Sequence, residues 1–155
     1  MKVVVLSGGR SSEHEISLLS GQAVTAGLRE AGHEVIELKI EKDGAWVADG
    51  KPVGIVPGEG LLGADAAFPV LHGPFGEDGA TQGALETAGI AYAGSDVLGS
   101  AVCMDKLTLK RLCGFHGINQ VDFVQAGVTG WHEAALELGL PVWVKPSRLG
   151  SSVGT

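Results

Sequence analysis

The 155-residue sequence has only two cysteines, Cys103 and Cys113, and they do not form a C-x-x-C pair. Neither a disulfide framework nor a thiolate metal site is expected, and both read as small apolar residues of a reduced, cytoplasmic protein. Proline occurs six times, too rarely for a proline-rich linker, and aromatic residues make up only 5%. Lysine and arginine number 11 against 18 aspartates and glutamates, for a net charge of −7. Duplex nucleic acid and polybasic membrane attachment are therefore not expected, although single lysines still suit a small anion. No apolar run approaches the roughly 18 residues of a membrane span. The apolar stretch after Met1 is too short for a signal peptide and reads as a buried strand.

Glycine is the residue in surplus, at 25 of 155 positions. Without a triplet period it excludes collagen, and in a well-mixed sequence it marks loops where backbone approaches something closely. The length suits one domain, or one domain and a piece of a second. Apolar residues at 45% and charged residues at 19% are those of an ordinary globular chain.

Val3–Leu6 is a continuous β-branched run closed by Gly8-Gly9, the pattern of a parallel strand buried on both faces. A helix is predicted over Glu13–Ala31, with Ile16, Leu19, Ala23, Val24 and Leu28 as its apolar stripe. Ser12 and Glu15 have capping-box spacing at its start, and Gly32 is a C′ stop. A second strand over His33–Ile40 completes the opening of a doubly wound sheet. Ala45–Ala48 is a short strand between the turns Asp43-Gly44 and Asp49-Gly50. Further strands are expected over Ala66–Leu71, Ile90–Ala93, Gln120–Gln125 and Pro141–Lys145. Helices are expected over Ala80–Ala88, Asp96–Met104, Lys106–His116 and Trp131–Leu138. The fold class is α/β, an open, mostly parallel sheet flanked by helices. The pattern changes near Gly94, so domains are expected at 1–93 and 94–155.

Four segments are candidates for chemistry. Gly8–Ser17 joins the first strand to the first helix, where ligands of open α/β sheets bind. It lacks G-x-G-x-x-G, which disfavours a dinucleotide, and carries Glu13 and Glu15. The pattern alone favours the helix dipole as the reason for both carboxylates. The alternative is that one of them faces the cleft and pairs with a cationic group such as an ammonium. Leu71–Gly83 holds His72, which is open to a structural or a site role, and Asp78, which could simply cap the next helix. Lys106 follows an apolar run and is either solvated or anion-binding. Lys145 closes a predicted strand and is followed by a Gly/Ser loop. Such a loop cradles phosphate oxygens with its N–H groups or is merely a surface loop, and it is not a Walker A sequence.

Taken in order, GGRSSEHEIS (8–17), LHGPFGEDGATQG (71–83), YAGSDVLGSAVCMDK (92–106) and VKPSRLGSSVG (144–154) resemble the D-alanine–D-alanine ligases. These are ATP-grasp enzymes of peptidoglycan synthesis. The resemblance implies a Rossmann-like, pre-ATP-grasp amino-terminal domain followed by the beginning of an α+β ATP-grasp domain. It implies ATP-dependent joining of two D-alanines through an acyl phosphate. By motif position, Glu13 would hold the ammonium of the first D-alanine, Ser151 would bond within the same network, and His72 would lie near substrate. Lys106 and Lys145 would contact ATP phosphates, covered by the loop of Gly150, Ser151, Ser152 and Val153. ATP and Mg2+ are the implied cofactors, with the metal ligands expected beyond residue 155, and the implied assembly is a homodimer. Leu149, Pro74 and Phe75 depart from the usual pattern without removing a group that this chemistry uses. A D-alanine–D-lactate or D-serine ligase, and a non-catalytic binding or dimerisation module, are the alternatives. The 155 residues by themselves are not expected to turn over.

Overall fold

The structure, a computed structural model, describes residues 1–150 and 154. Its six strands are β1 (Lys2–Gly8), β2 (Glu34–Ile40), β3 (Trp46–Ala48), β4 (Lys51–Pro52), β5 (Ala66–Pro69) and β6 (Ala91–Tyr92). They form one sheet in the order β4-β3-β2-β1-β5-β6. β1 pairs in parallel with both β2 and β5, β5 with β6 likewise, and β3 and β4 add an antiparallel edge. This is the expected open, mostly parallel sheet. Asp49 and Gly50 both take positive φ, 48° and 70°, the turn that a two-residue hairpin between β3 and β4 requires. The chain leaves β1 toward β2 on one side and returns to its other side as β5. The carboxyl ends of β1 and β5 therefore form the topological switch point of the sheet.

Contacts divide the chain into two units, Met1–Ala101 and Val102–Thr155. The core of the first is built on Val4, Leu6, Leu38, Ile40, Ala67 and Leu85, all buried. Helix α1 (His14–Glu30) packs on β1 and β2, and α2 is Ala80–Ala88, as the spacing predicts. Gly32 ends α1 in the left-handed region while the His33 N–H donates to Leu28 O at 3.0 Å, a Schellman closure.

Two features of α1 correct the sequence reading. Its buried residues are His14, Ser17, Gly21 and Thr25, whereas Ile16 and Leu19 of the supposed stripe are 56% and 62% exposed. The reason is close approach: a Cβ on Gly21 would stand 2.5 Å from the Ser7 Cβ, so only small side chains fit against β1. The Ser12–Glu15 capping box is also absent. Glu13 is the N-cap, its N–H donates to Ser11 Oγ at 3.1 Å, and Glu15 reaches Lys42 at 3.0 Å instead. That ion pair holds the Glu15 carboxyl below its ordinary pKa.

Helix α3 (Val97–Met104) runs across the division between the units. The second unit contains α4 (Lys106–Phe115) and α5 (Trp131–Glu137) and, among the described residues, no strand. The strands expected at Gln120–Gln125 and Pro141–Lys145 are irregular, with Val121, Trp143 and Val144 exposed. Strand composition is present, but no neighbouring strand offers a ladder, and backbone pairing is what makes a strand. Side chains of α4 serve the first segment instead: Lys110 Nζ donates to Val121 O at 2.7 Å and lies 5.0 Å from the Phe123 ring centroid.

Candidate active site

The switch point in the first unit is pinned by α1. Ser17, fully buried, accepts from the Gly8 N–H at 2.9 Å and donates to Val70 O at 2.5 Å. One hydroxyl thus ties the end of β1 to the segment following β5. His14, also buried, lies with Nδ1 2.6 Å from Gly9 O, a contact to a carbonyl that puts the ring proton on Nδ1.

On this frame Glu13 and His72 come together with residues that the sequence reading did not single out. Ser11 Oγ donates to His72 O at 2.7 Å while accepting from the Glu13 N–H. The His72 ring is hydrogen-bonded through Nε2 to Ser20 Oγ at 3.2 Å. Gly73 lies against the Glu13 carboxylate so closely that a Cβ there would stand 2.9 Å from Oε2, and its φ of 70° also favours glycine. Loop 73–79 is strapped internally: the Gly73 N–H donates to Glu77 at 2.7 Å, the Phe75 N–H to Asp78 at 2.8 Å, and Gln82 Nε2 to Gly76 O at 3.0 Å. Asp78 therefore closes the loop and also accepts from the Ala80 N–H at 3.1 Å. Chemically, the switch point presents a carboxylate, an imidazole and hydroxyls, a set suited to a small polar ligand with an ammonium group.

The second unit places Lys106 at a different cluster. Its N–H donates to Ser147 O at 2.9 Å and its ammonium donates to Leu149 O, so it sits at the entry to the Gly150 loop. The preceding residue, Asp105, caps α4 by accepting from the Thr108 N–H at 3.0 Å. It also accepts from Arg148 Nε at 2.8 Å and Ser147 Oγ at 3.0 Å. The Arg148 guanidinium first, then these other donors, hold the Asp105 carboxyl well below the usual carboxylate range. Lys145 is exposed and Gly150 half-buried, while Ser151, Ser152 and Val153 lie outside the described residues. Among the described residues no group of His, Cys, Asp and Glu is arranged to hold a metal ion.

A family model described as D-ala D-ala ligase N-terminus matches residues 2–57 and 53–95. The chain belongs to the D-alanine–D-alanine ligase family. Curated members include the D-alanine–D-alanine ligase of Solibacter usitatus, 44% identical, and that of Aquifex aeolicus, 46% identical, each aligned over 99% of this chain. The alignments cover 47% and 49% of those proteins, so the chain spans about half the length of the curated ligases it matches. Among solved structures, the Coxiella burnetii D-alanine–D-alanine ligase superposes with a TM-score of 0.84 at 32% identity. That match covers 99% of this chain and 53% of the solved one. The VanG D-Ala:D-Ser ligase from Enterococcus faecalis gives 0.76 at 33% identity, over 97% of this chain and 53% of its own.

Ser11, Ser17 and Ser20 are the residues of this switch point least visible in the sequence. Ser17 alone has a signal, the small and polar row His14, Ser17, Gly21, Thr25 at helical spacing, which the apolar stripe beside it obscured. Asp105 and Arg148 lie 43 positions apart and carry no local signal of their pairing.

Proposed function

We propose that this chain serves ATP-dependent ligation of two D-alanines to D-alanyl-D-alanine for peptidoglycan synthesis, in the cytoplasm and as a homodimer. The observation that carries the reading is the meeting of Glu13, Ser11, His72 and Gly73 at the switch point in a chain of this family. Residues 1–93 bind substrate, and residues from 94 onward begin an ATP-grasp domain. Glu13 takes the ammonium of the first D-alanine as a charge-assisted hydrogen bond. His72, held by Ser20, borders the same ligand, and Ser151 joins the network.

The donor set of the second unit fits a polyphosphate. Lys106 directs its ammonium to Leu149 O at the entry to the Gly150 loop, and Lys145 is the second cation that the family resemblance assigns to the phosphates. ATP supplies the phosphoryl group that activates the first carboxylate, releasing ADP. The amine of the second D-alanine then displaces phosphate and loses a proton. The lysines and the loop neutralise the phosphate oxygens in both steps. Among the described residues no cluster of three or more His, Cys, Asp or Glu offers Mg2+ an all-protein site.

The test is D-alanine-dependent ADP release by the enzyme containing this chain, with Glu13→Gln beside it. The variant is expected to raise KM for the first D-alanine and leave KM for ATP unchanged. No turnover with D-alanine, or equal effects on both substrates, rejects the reading. The similarity to a D-Ala:D-Ser ligase supports a second reading in which D-serine is the acceptor. Competition between the two amino acids as second substrate separates them.

A further inference from the structure

The first unit contains a cavity of about 220 Å³ bordered by the loop that carries His72. Ile40, Trp46, Ile55 and Leu71 form its apolar wall, and Arg10 and Phe75 stand among its lining residues. Gly9, Leu71 and His72 at the switch point line it, but Glu13 and Ser20 do not, so it opens beside the group that holds the Glu13 carboxylate and does not contain it.

Arg10 and Phe75 are arranged as a pair. The Arg10 guanidinium carbon lies 4.6 Å from the Phe75 ring centroid, and among the described residues Arg10 makes no ion pair or hydrogen bond. A guanidinium held over an aromatic ring keeps N–H donors for an anion. Gly44 gives the side chain passage, since a Cβ there would stand 3.1 Å from Arg10 Cδ. Phe75 has φ 68°, a left-handed conformation that is costly for phenylalanine. Both of its backbone groups are bound: its N–H to Asp78 at 2.8 Å, and its carbonyl by Thr81 Oγ1 at 2.6 Å. The loop thus holds this exposed ring under a cation that has no anion among the described residues.

We propose that the cavity binds a small aromatic carboxylate, its ring against Trp46, Ile55 and Leu71 and its carboxylate on the Arg10 N–H groups. The size agrees, because an apolar cavity of about 150 Å³ accepts benzene, and 220 Å³ accommodates a ring with a carboxyl group. An apolar wall with one convergent cation is the usual chemistry of such a site. The inference stands independently of the ligase reading.

The test is a titration of the full chain with benzoate, followed by NMR at the Trp46 indole and the Ala84 methyl, with benzamide as the neutral isostere. Benzoate is expected to saturate and to shift both signals. Benzamide is expected to bind about tenfold more weakly, for want of the charge-assisted bond. Arg10→Gln, at an exposed position, is expected to lower benzoate affinity to the benzamide level and leave benzamide unchanged. Ala84→Leu, which fills the cavity, is expected to abolish both if it folds, and Arg10→Gln decides if it does not. Absence of saturable shifts at Trp46 and Ala84 overturns the proposal. So do equal affinities for the two ligands, or benzoate affinity unchanged in Arg10→Gln. Shifts confined to His72 and Ser20 assign the ligand to the switch-point site and overturn it as well.

Discussion

Replacing Ser17 by alanine isolates the hydroxyl that joins the two strand ends beneath the candidate site. The side chain is fully buried, accepts from the Gly8 N–H at 2.9 Å and donates to Val70 O at 2.5 Å. The parallel ladder does not serve that N–H, because it is the Gly9 N–H that donates to Ile40 O, at 2.7 Å. Ser17→Ala therefore leaves one donor and one acceptor buried without this partner. At about 1–3 kcal/mol for each orphaned group, with the carbonyl at the low end, the loss comes to about 2–4 kcal/mol. Urea unfolding at neutral pH measures it. Ser17→Cys, of similar size and with a weak S–H donor, is expected to lose less. Amide exchange at Gly8 is expected to accelerate in the alanine variant by more than exchange elsewhere in β1. A loss below about 0.5 kcal/mol, the ordinary range for surface substitutions, would refute the account, as would unchanged exchange at Gly8.

Gly21→Ala is expected to destabilise by about 1–3 kcal/mol through the clash with Ser7, despite alanine's higher helix propensity; stabilisation on urea unfolding would contradict the close-packing account of α1. Tyr92 is the single tyrosine, so phenolate absorbance reports it alone. Burial and the hydrogen bond to Glu86 push its pKa up to about 12, and Glu86→Gln is expected to bring the titration down toward 10. A raised pKa favours the neutral form, so this contribution to stability is complete below pH 10 and is lost as pH rises through about 12. For Asp105 the sign is opposite: its stabilising contribution is present above the ordinary value of 3.8 and fades as pH falls below it. Arg148→Ala is expected to raise the Asp105 pKa in a carboxyl NMR titration, and an unchanged value would remove Arg148 as the main cause.

The elements legible in the sequence were those whose local pattern and tertiary setting agree. α2 begins and ends at the predicted residues because Gly79 and Gly89 take left-handed conformations at its two ends. β1 reads correctly because burial on both faces leaves an unbroken apolar run. The segments 120–125 and 141–145 fail for the opposite reason: Trp143 and Val144 have strand composition, but pairing is a non-local property that composition does not carry. In the candidate site, Glu13 and His72 stood out because both follow strands of a parallel sheet. Ser11, Ser17 and Ser20 did not, since a serine looks the same on a solvated face as when it bridges two strands.

The sheet's margins bear on how the chain behaves when crowded with copies of itself. One edge is Lys51–Pro52, two residues with a charge and a ring nitrogen that cannot donate, and the other is the equally short Ala91–Tyr92. Neither margin offers an extended row of donors and acceptors on which another chain could template. The central parallel strands β1, β2 and β5 are shielded from fibril growth by the shortness of the strands at the margins.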